Sequence, residues 1–125
     1  MAQERSDVLR MPLKGWLGLS FLSFIAIGVT YFIGIFASGK DIDETCAKAG
    51  QLLDRDYRAQ NWLEPGRFFP LHDKCNAGYD MIPAWINPAL VIFAVLMATF
   101  ICAFIVAATK RLKAHRRESH VHDKA

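Results

Sequence analysis

Two long stretches without charge constrain this sequence more than any other feature. No charged side chain occurs between Lys14 and Lys40, and none occurs between Asp80 and Lys110. Each stretch exceeds the ~20 apolar residues that a helix needs to cross a hydrocarbon core about 30 Å thick. A soluble chain of 125 residues has no second layer to cover helices that are apolar on every face. The pattern therefore predicts two transmembrane helices, with an obligately oligomeric soluble bundle as the alternative.

The predicted fold class is an all-α membrane protein, a two-helix transmembrane hairpin with a small, mostly irregular, disulfide-stapled extracytoplasmic loop. Its predicted parts are a cytoplasmic N-terminal segment (1–15), a first transmembrane helix (16–37), the extracytoplasmic loop (38–86), a second transmembrane helix (87–109) and a basic cytoplasmic tail (110–125). The first apolar stretch is longer than the 7–15 residues of a signal-peptide core, and Phe36-Ala37-Ser38 is a poor cleavage site. We therefore expect an uncleaved anchor.

The two spans also have boundary signals. Trp16 and Trp85 fall at the inner end of the first span and the outer end of the second, where aromatic rings prefer the headgroup layer. Asn87 is suited to cap the second helix with its side-chain oxygen, and Pro88 to occupy the first helical position, where no backbone donor is lost. These residues predict a sharp start for the second span.

The charge distribution predicts the orientation. Six basic residues follow the second span, and five of them lie between Lys110 and Arg117, where positive charge most strongly fixes topology. The loop is net acidic, with eight acidic and six basic residues, although Lys40 lies near a membrane end. The chain is therefore expected to be a multi-pass protein of the cell membrane with both termini in the cytoplasm.

The three cysteines occupy different environments. Cys46 and Cys75 lie in the loop, whereas Cys102 lies about 20 Å along the second span. On an oxidising outer side, Cys46–Cys75 is the only plausible intramolecular disulfide. Closing that loop is worth about 3–4 kcal/mol by the chain-entropy account. Two free thiols, in a reducing compartment or an inverted topology, are the alternative.

The loop is rich in aromatic residues and interrupted by proline and glycine, which favours turns and short irregular stretches. A short helix from Asp43, with Asp43 as its cap, is also possible, although Gly50 disfavours it. The aromatic residues fit either a miniature core beside the membrane surface or a contact patch for a partner protein, because aromatic and arginine side chains often anchor interfaces. The candidate contact residues are Trp62, Arg67, Phe68, Phe69 and Trp85.

Small residues recur at a spacing of four in both spans and predict close helix packing. In the first span they are Ala26, Thr30 and Gly34, and in the second Ala94 and Ala98. Such ridges allow the spans to pack on each other as a hairpin or on a neighbouring protein. The ridge through Gly34 is the stronger signal, because alanine is common in any span.

No catalytic or metal site is predicted, and no cofactor. His72 and Asp73 are adjacent, so in a strand their side chains point to opposite sides and do not form a dyad. The tail histidines His115, His120 and His122 lie near Asp123 and could hold a transition metal, but their irregular spacing on a polar tail is more typical of a solvated, disordered terminus. No nucleic-acid or small-molecule site is indicated.

One stretch of the loop resembles a known pattern. The run from Arg67 to Asp80, RFFPLHDKCNAGYD, followed by Pro83-Ala84-Trp85-Ile86-Asn87-Pro88, is similar to that of uncharacterised small two-span membrane proteins of actinobacteria. The resemblance covers about a fifth of the chain. It implies an architecture and a bacterial cell membrane, and no activity.

The predicted function is that of a non-enzymatic accessory or scaffold subunit, which docks a larger membrane or envelope complex through its loop and helices. Its expected partners are the lipid bilayer and either a membrane protein or further copies of the chain. An oligomeric, holin-like pore is an alternative, although neither span has a polar face to line water or a buried charge. A protein that handles thiols or metals, through Cys46, Cys75 and the tail histidines, is a weaker alternative.

Overall fold

The computed structural model describes residues 11–124, with side chains to residue 121. Residues 1–10, which include most of the predicted N-terminal segment, and residue 125 lie outside the described residues. The described chain is mostly helical and contains one short β-hairpin. Its elements are α1 (Leu13–Phe36), α2 (Ile42–Lys48), α3 (Arg55–Gln60), β1 (Lys74–Asn76), β2 (Tyr79–Asp80) and α4 (Ile86–Lys124). Helices α1 and α4 are both long and apolar enough to cross a membrane.

Helix α4 departs from its predicted bounds at both ends. It begins at Ile86 rather than Asn87, and it continues through the basic tail to Lys124. The sequence contains no glycine or proline after Pro88 until the end of the helix. The tail is instead rich in lysine and arginine, which are strong helix formers. The expected disordered tail is therefore helical.

Short local signals build the loop between the long helices. Asp41, rather than the expected Asp43, caps α2, and its Oδ1 accepts the backbone N–H groups of Asp43 and Glu44. Gly50 follows the helix at a φ of +72°, a left-handed conformation that favours glycine. Asp54 caps α3 by accepting the Tyr57 N–H at 2.9 Å. The loop thus consists of short elements joined by turns and irregular stretches, as predicted.

The hairpin is short and irregular. Lys74 pairs with Asp80 and Asn76 with Tyr79, and a bulge separates the two pairs. The side chain of Asn76 accepts the N–H of Gly78 at 3.0 Å and closes the turn. This local bond is typical of asparagine in tight turns.

Two compact units divide the chain. The disulfide unit comprises Ala26–Ile92, and the helix unit comprises Met1–Ile25 together with Phe93–Ala125. In the disulfide unit, Leu71, Ile82, Ile86 and Leu90 form a buried core cluster, and three partly buried side chains pack against it: Ile27, Tyr31 and Ala37. The hydrophobic core of the loop is therefore completed by residues at the ends of the long helices.

Few side chains are buried in the helix unit. Trp16 is 6% exposed and its ring lies 6.3 Å from that of Phe100, so it packs against the other long helix; its place in the headgroup layer stays a prediction. Ser23 is also buried, and its hydroxyl donates to the carbonyl of Leu19 in its own helix. Most large apolar side chains of this unit point outwards. This distribution is typical of helices that lie in an apolar environment.

Candidate functional site

The Cys46–Cys75 disulfide is formed, as predicted. It joins α2 to β1 across 29 residues, and both cysteines are fully buried. Backbone bonds continue on both sides of it, because the N–H of Asp54 donates to the Cys75 carbonyl at 2.8 Å and that of Gln51 to the Cys46 carbonyl at 2.9 Å. Burial keeps the sulfurs away from solvent-borne thiols, which makes the bond a structural staple.

Arg58 joins α3 to the hairpin. Its Nη1 lies 2.7 Å from Oδ1 of Asp73 and 2.8 Å from the carbonyl oxygen of Lys74. The side chains of Arg58 and Asp73 are only 25% and 17% exposed. A charged pair that is this well covered and also bonded to the backbone fixes geometry more firmly than a surface ion pair.

Asp80 is the acceptor around which the hairpin folds. Its Oδ1 accepts the backbone N–H groups of Asp73 at 3.1 Å and Ile82 at 3.0 Å, and its Oδ2 lies 2.5 Å from Nδ1 of His72. Burial acts to raise the pKa of this carboxyl, but the hydrogen bonds from His72, Ile82 and Asp73 outweigh burial, so the pKa lies below its usual value. An ionised carboxylate only accepts, so His72 Nδ1 donates.

His72 and Asp73 therefore have separate partners. His72 bonds to Asp80, and Asp73 bonds to Arg58. In the part of the chain that the structure describes, no three His, Cys, Asp or Glu side chains lie close enough together to hold a metal ion. The side chains of His122 and Asp123, part of the predicted tail cluster, lie outside the described residues.

A turn at residues 61–67, here called the Trp62 turn, carries two of the predicted contact residues. The N–H of Glu64 donates to the Asn61 carbonyl at 2.9 Å, and that of Arg67 to the Glu64 carbonyl at 3.3 Å. The carboxylate of Glu64 accepts the Tyr57 hydroxyl at 3.2 Å and lies 3.6 Å from Nζ of Lys74. Two elements of the disulfide unit thus hold the turn.

The contact with Glu64 affects the pKa of Lys74. Burial acts to lower its pKa, but the negative charge of Glu64, together with Tyr57 and the hydrogen bonds to both side chains, outweighs burial, so the pKa is raised above its usual 10.5. The ammonium and the carboxylate therefore stabilise each other at neutral pH. The pair ties the Trp62 turn to β1.

The Trp62 turn presents apolar surface to its surroundings. The side chain of Trp62 is 71% exposed, and Leu63 and Arg67 are exposed beside it. Together with polar groups of the turn, they line a cleft of about 140 Å³. An exposed tryptophan on a held turn, with an arginine alongside, has the composition of a protein contact site.

Phe68, Phe69 and Trp85 are exposed in a different setting. The ring of Phe68 lies 5.3 Å from that of Tyr31, and the Tyr31 hydroxyl donates to the Phe68 carbonyl at 3.2 Å. Tyr31 belongs to α1, five residues before its end at Phe36, and Trp85 immediately precedes α4. Phe68 is therefore anchored beside the end of α1, with Phe69 next to it in the chain, and Trp85 lies at the start of α4.

Asn87 holds the segment that follows Phe69. Its Oδ1 accepts the N–H of Leu71 at 2.8 Å, and its Nδ2 donates to the carbonyl of Leu71 at 2.9 Å. The predicted cap at Asn87 is not formed, because helix α4 begins one residue earlier and the amide bonds across to the loop. A buried Leu71 keeps both backbone groups paired in this way.

The predicted packing residues of the two long helices differ in burial. In α1, Thr30 and Gly34 are buried and Ala26 is half-buried. A Cβ at Gly34 would lie 2.7 Å from Cδ1 of Leu71 and 3.0 Å from Cγ2 of Ile86, so a side chain at this position requires both neighbours to shift. Ala94 and Ala98 of α4 are exposed. Their predicted packing within the chain is not formed, and packing on a neighbouring protein stays a prediction.

Sequence reasoning missed Arg58, Tyr31 and Asp80. Their partners lie 15, 37 and 8 residues away along the chain. Such pairs carry no periodic signal in an irregular segment.

Comparison with family models finds no match to this chain, and comparisons with curated proteins and with solved structures find no similar one either.

Proposed function

We propose that this chain is a non-enzymatic accessory subunit of the cell membrane. It spans the bilayer twice through α1 and α4, keeps both termini in the cytoplasm and presents the disulfide unit outside. The Trp62 turn docks a larger membrane or envelope complex. The observation that carries the proposal is the exposed Trp62 on a turn that Tyr57 and Lys74 hold in place.

Rigidity supports docking because a fixed surface loses little conformational entropy when it binds. The disulfide, the Arg58–Asp73 pair and the Asp80 hydrogen bonds restrain the elements from which the turn projects. Tryptophan and arginine are also the residue types that most often dominate binding energy at interfaces. The partner therefore has an apolar pocket for Trp62 and an acidic or carbonyl group for Arg67.

The remaining exposed aromatic residues have a separate role in this proposal. Phe68, Phe69 and Trp85 lie beside the ends of the long helices, where the headgroup layer begins if the helices cross a bilayer. Leu71 keeps both backbone groups paired with Asn87, and Pro70 has no N–H to satisfy. A segment with few unpaired backbone groups tolerates an apolar layer.

The experiment is purification of the tagged chain in mild detergent from the cells that make it, followed by native mass spectrometry. We expect a complex with a second protein. The double variant Trp62→Ser/Arg67→Ser is expected to lose the partner while its disulfide stays formed. Leu52→Ser is the matched control, because Leu52 is a large apolar residue outside the turn that is even more exposed than Trp62, and this variant is expected to keep the partner.

Three outcomes would count against docking through the turn. They are a chain that always runs alone, a complex that survives the double variant, and loss of the partner in Leu52→Ser as well. A complex made only of further copies of this chain would replace the accessory role with self-assembly.

A further inference from the structure

An open apolar groove runs along the helix unit. It has a volume of about 680 Å³, which is within the range of about 300–1,000 Å³ typical of small-molecule sites. Its lining is apolar except for Lys14 and Ser20: Leu17, Gly18, Phe21, Phe24, Met97 and Ile101. The hydroxyl of Ser20 already donates to the Trp16 carbonyl at 2.9 Å, so it offers no free donor to a ligand.

Positive charge marks one end of this groove. Lys14 lines it in the first turn of α1, which contains no acidic residue. The guanidinium of Arg111 donates to the backbone carbonyl of Met11 at 3.3 Å, which brings a second cation to the start of the same helix. The positive end of the α1 dipole adds to this field. Of the described residues that line the groove, none is acidic.

We propose that this groove binds an anionic phospholipid, with an acyl chain along the apolar lining and the phosphate at Lys14 and Arg111. An apolar groove lined by Lys14 at one end, with Arg111 bonded near the start of the same helix, matches an amphiphile with a negative head better than a purely apolar or a cationic one. The inference rests on the membrane insertion given under Proposed function, but it does not depend on a docked partner.

The test uses the full chain reconstituted in nanodiscs that contain equal amounts of phosphatidylglycerol and phosphatidylcholine. Lipids that stay bound when the protein is released are identified by native mass spectrometry. We expect retained phosphatidylglycerol in excess over phosphatidylcholine. Lys14→Gln should lower that excess about fivefold, as expected for the loss of one basic residue near an anionic surface.

Two glycines of α1 provide a matched pair of variants. A Cβ at Gly18 or at Gly28 meets no atom within 4 Å, so both positions of helix α1 have open space for an added side chain. Gly18 lines the groove and Gly28 does not. Gly18→Leu should therefore displace the retained lipid, whereas Gly28→Leu should leave it bound.

Flotation of the wild-type chain with liposomes comes first and separates the two ideas. A chain that does not float contradicts membrane insertion itself. A chain that floats but retains both lipids equally, or retains lipid equally in the two leucine variants, overturns the lipid site alone. A dimer that Gly18→Leu dissociates would also overturn it, because the groove would then hold a second copy of the chain.

Discussion

In the disulfide unit, the apolar side chains Leu71, Ile82 and Ile86 form a buried core, and the same unit contains ion pairs and hydrogen bonds. In the helix unit, by contrast, large apolar side chains such as Phe21 and Leu22 point outwards. The disulfide unit therefore has the organisation of a water-soluble domain. The second has few polar contacts between its segments and leaves its apolar side chains uncovered. The proposed membrane insertion accounts for this difference, because it would place water around the disulfide unit and lipid around the helix pair.

The largest expected effect is removal of the disulfide. Cys46→Ser/Cys75→Ser should destabilise the disulfide unit by about 3–4 kcal/mol, because the unfolded loop gains the freedom that the bond removes. Hydrogen exchange of backbone amides in detergent micelles measures this loss. The helix unit contains neither cysteine, so exchange in residues 93–110 should not change. Equal loss of protection in both units would break the comparison.

Loss of the two hydrogen bonds between the Asn87 side chain and the Leu71 backbone should lower the stability of the disulfide unit by nearly as much. Asn87→Ala leaves the N–H and the carbonyl of Leu71 without their partner, at an expected cost of about 2–3 kcal/mol to the disulfide unit. Thr99→Ala is the control in the helix unit. The Thr99 hydroxyl bonds only to the Val95 carbonyl in its own helix, so its removal should change little. Similar effects of the two variants, measured by amide exchange, would contradict a special role for Asn87.

Overpacking of α1 should have a smaller effect. Gly34→Leu forces Leu71 and Ile86 away from the helix and should destabilise the disulfide unit by about 1–3 kcal/mol. Gly28→Leu is the same change at a position with open space, and we expect no loss. Thermal unfolding of the unit, followed by near-ultraviolet circular dichroism, distinguishes the two variants. Equal melting temperatures would show that the approach at Gly34 is not tight.

Acid should produce the smallest effect. The pKa of Asp80 is lower in the folded unit than its ordinary 3.8, so the folded unit favours the carboxylate. The resulting stability is complete above about pH 4 and is lost as the pH falls through the lower folded pKa. Asp80→Asn removes this dependence, so the difference in stability between wild type and variant should shrink from pH 6 to pH 2. A constant difference would show that the ionised form of Asp80 is not what the fold prefers.

Sequence reasoning reached the features that follow from composition and covalent chemistry. The two charge-free stretches predicted both long apolar helices, and the positions of three cysteines predicted the Cys46–Cys75 bond. It missed the features that depend on tertiary contact. Asn87 is a good cap by propensity, yet its amide bonds to Leu71 because the loop folds back beside the helix. The exposure of Ala94 and Ala98 was also not predictable, because a spacing of four residues defines a helix face but does not say whether that face packs.

The central claim, that lipid surrounds the helix unit, is tested most directly at Cys102. This residue is the one free cysteine of the chain, and its side chain is exposed on α4. In liposomes a charged, water-soluble maleimide should leave it unlabelled until the protein is dissolved in denaturing detergent, because lipid would surround the thiol. The variant Cys102→Ser/Val121→Cys, which moves the thiol to the exposed polar end of α4, should label rapidly in permeabilised liposomes. Rapid labelling of Cys102 in intact, folded protein would contradict the account.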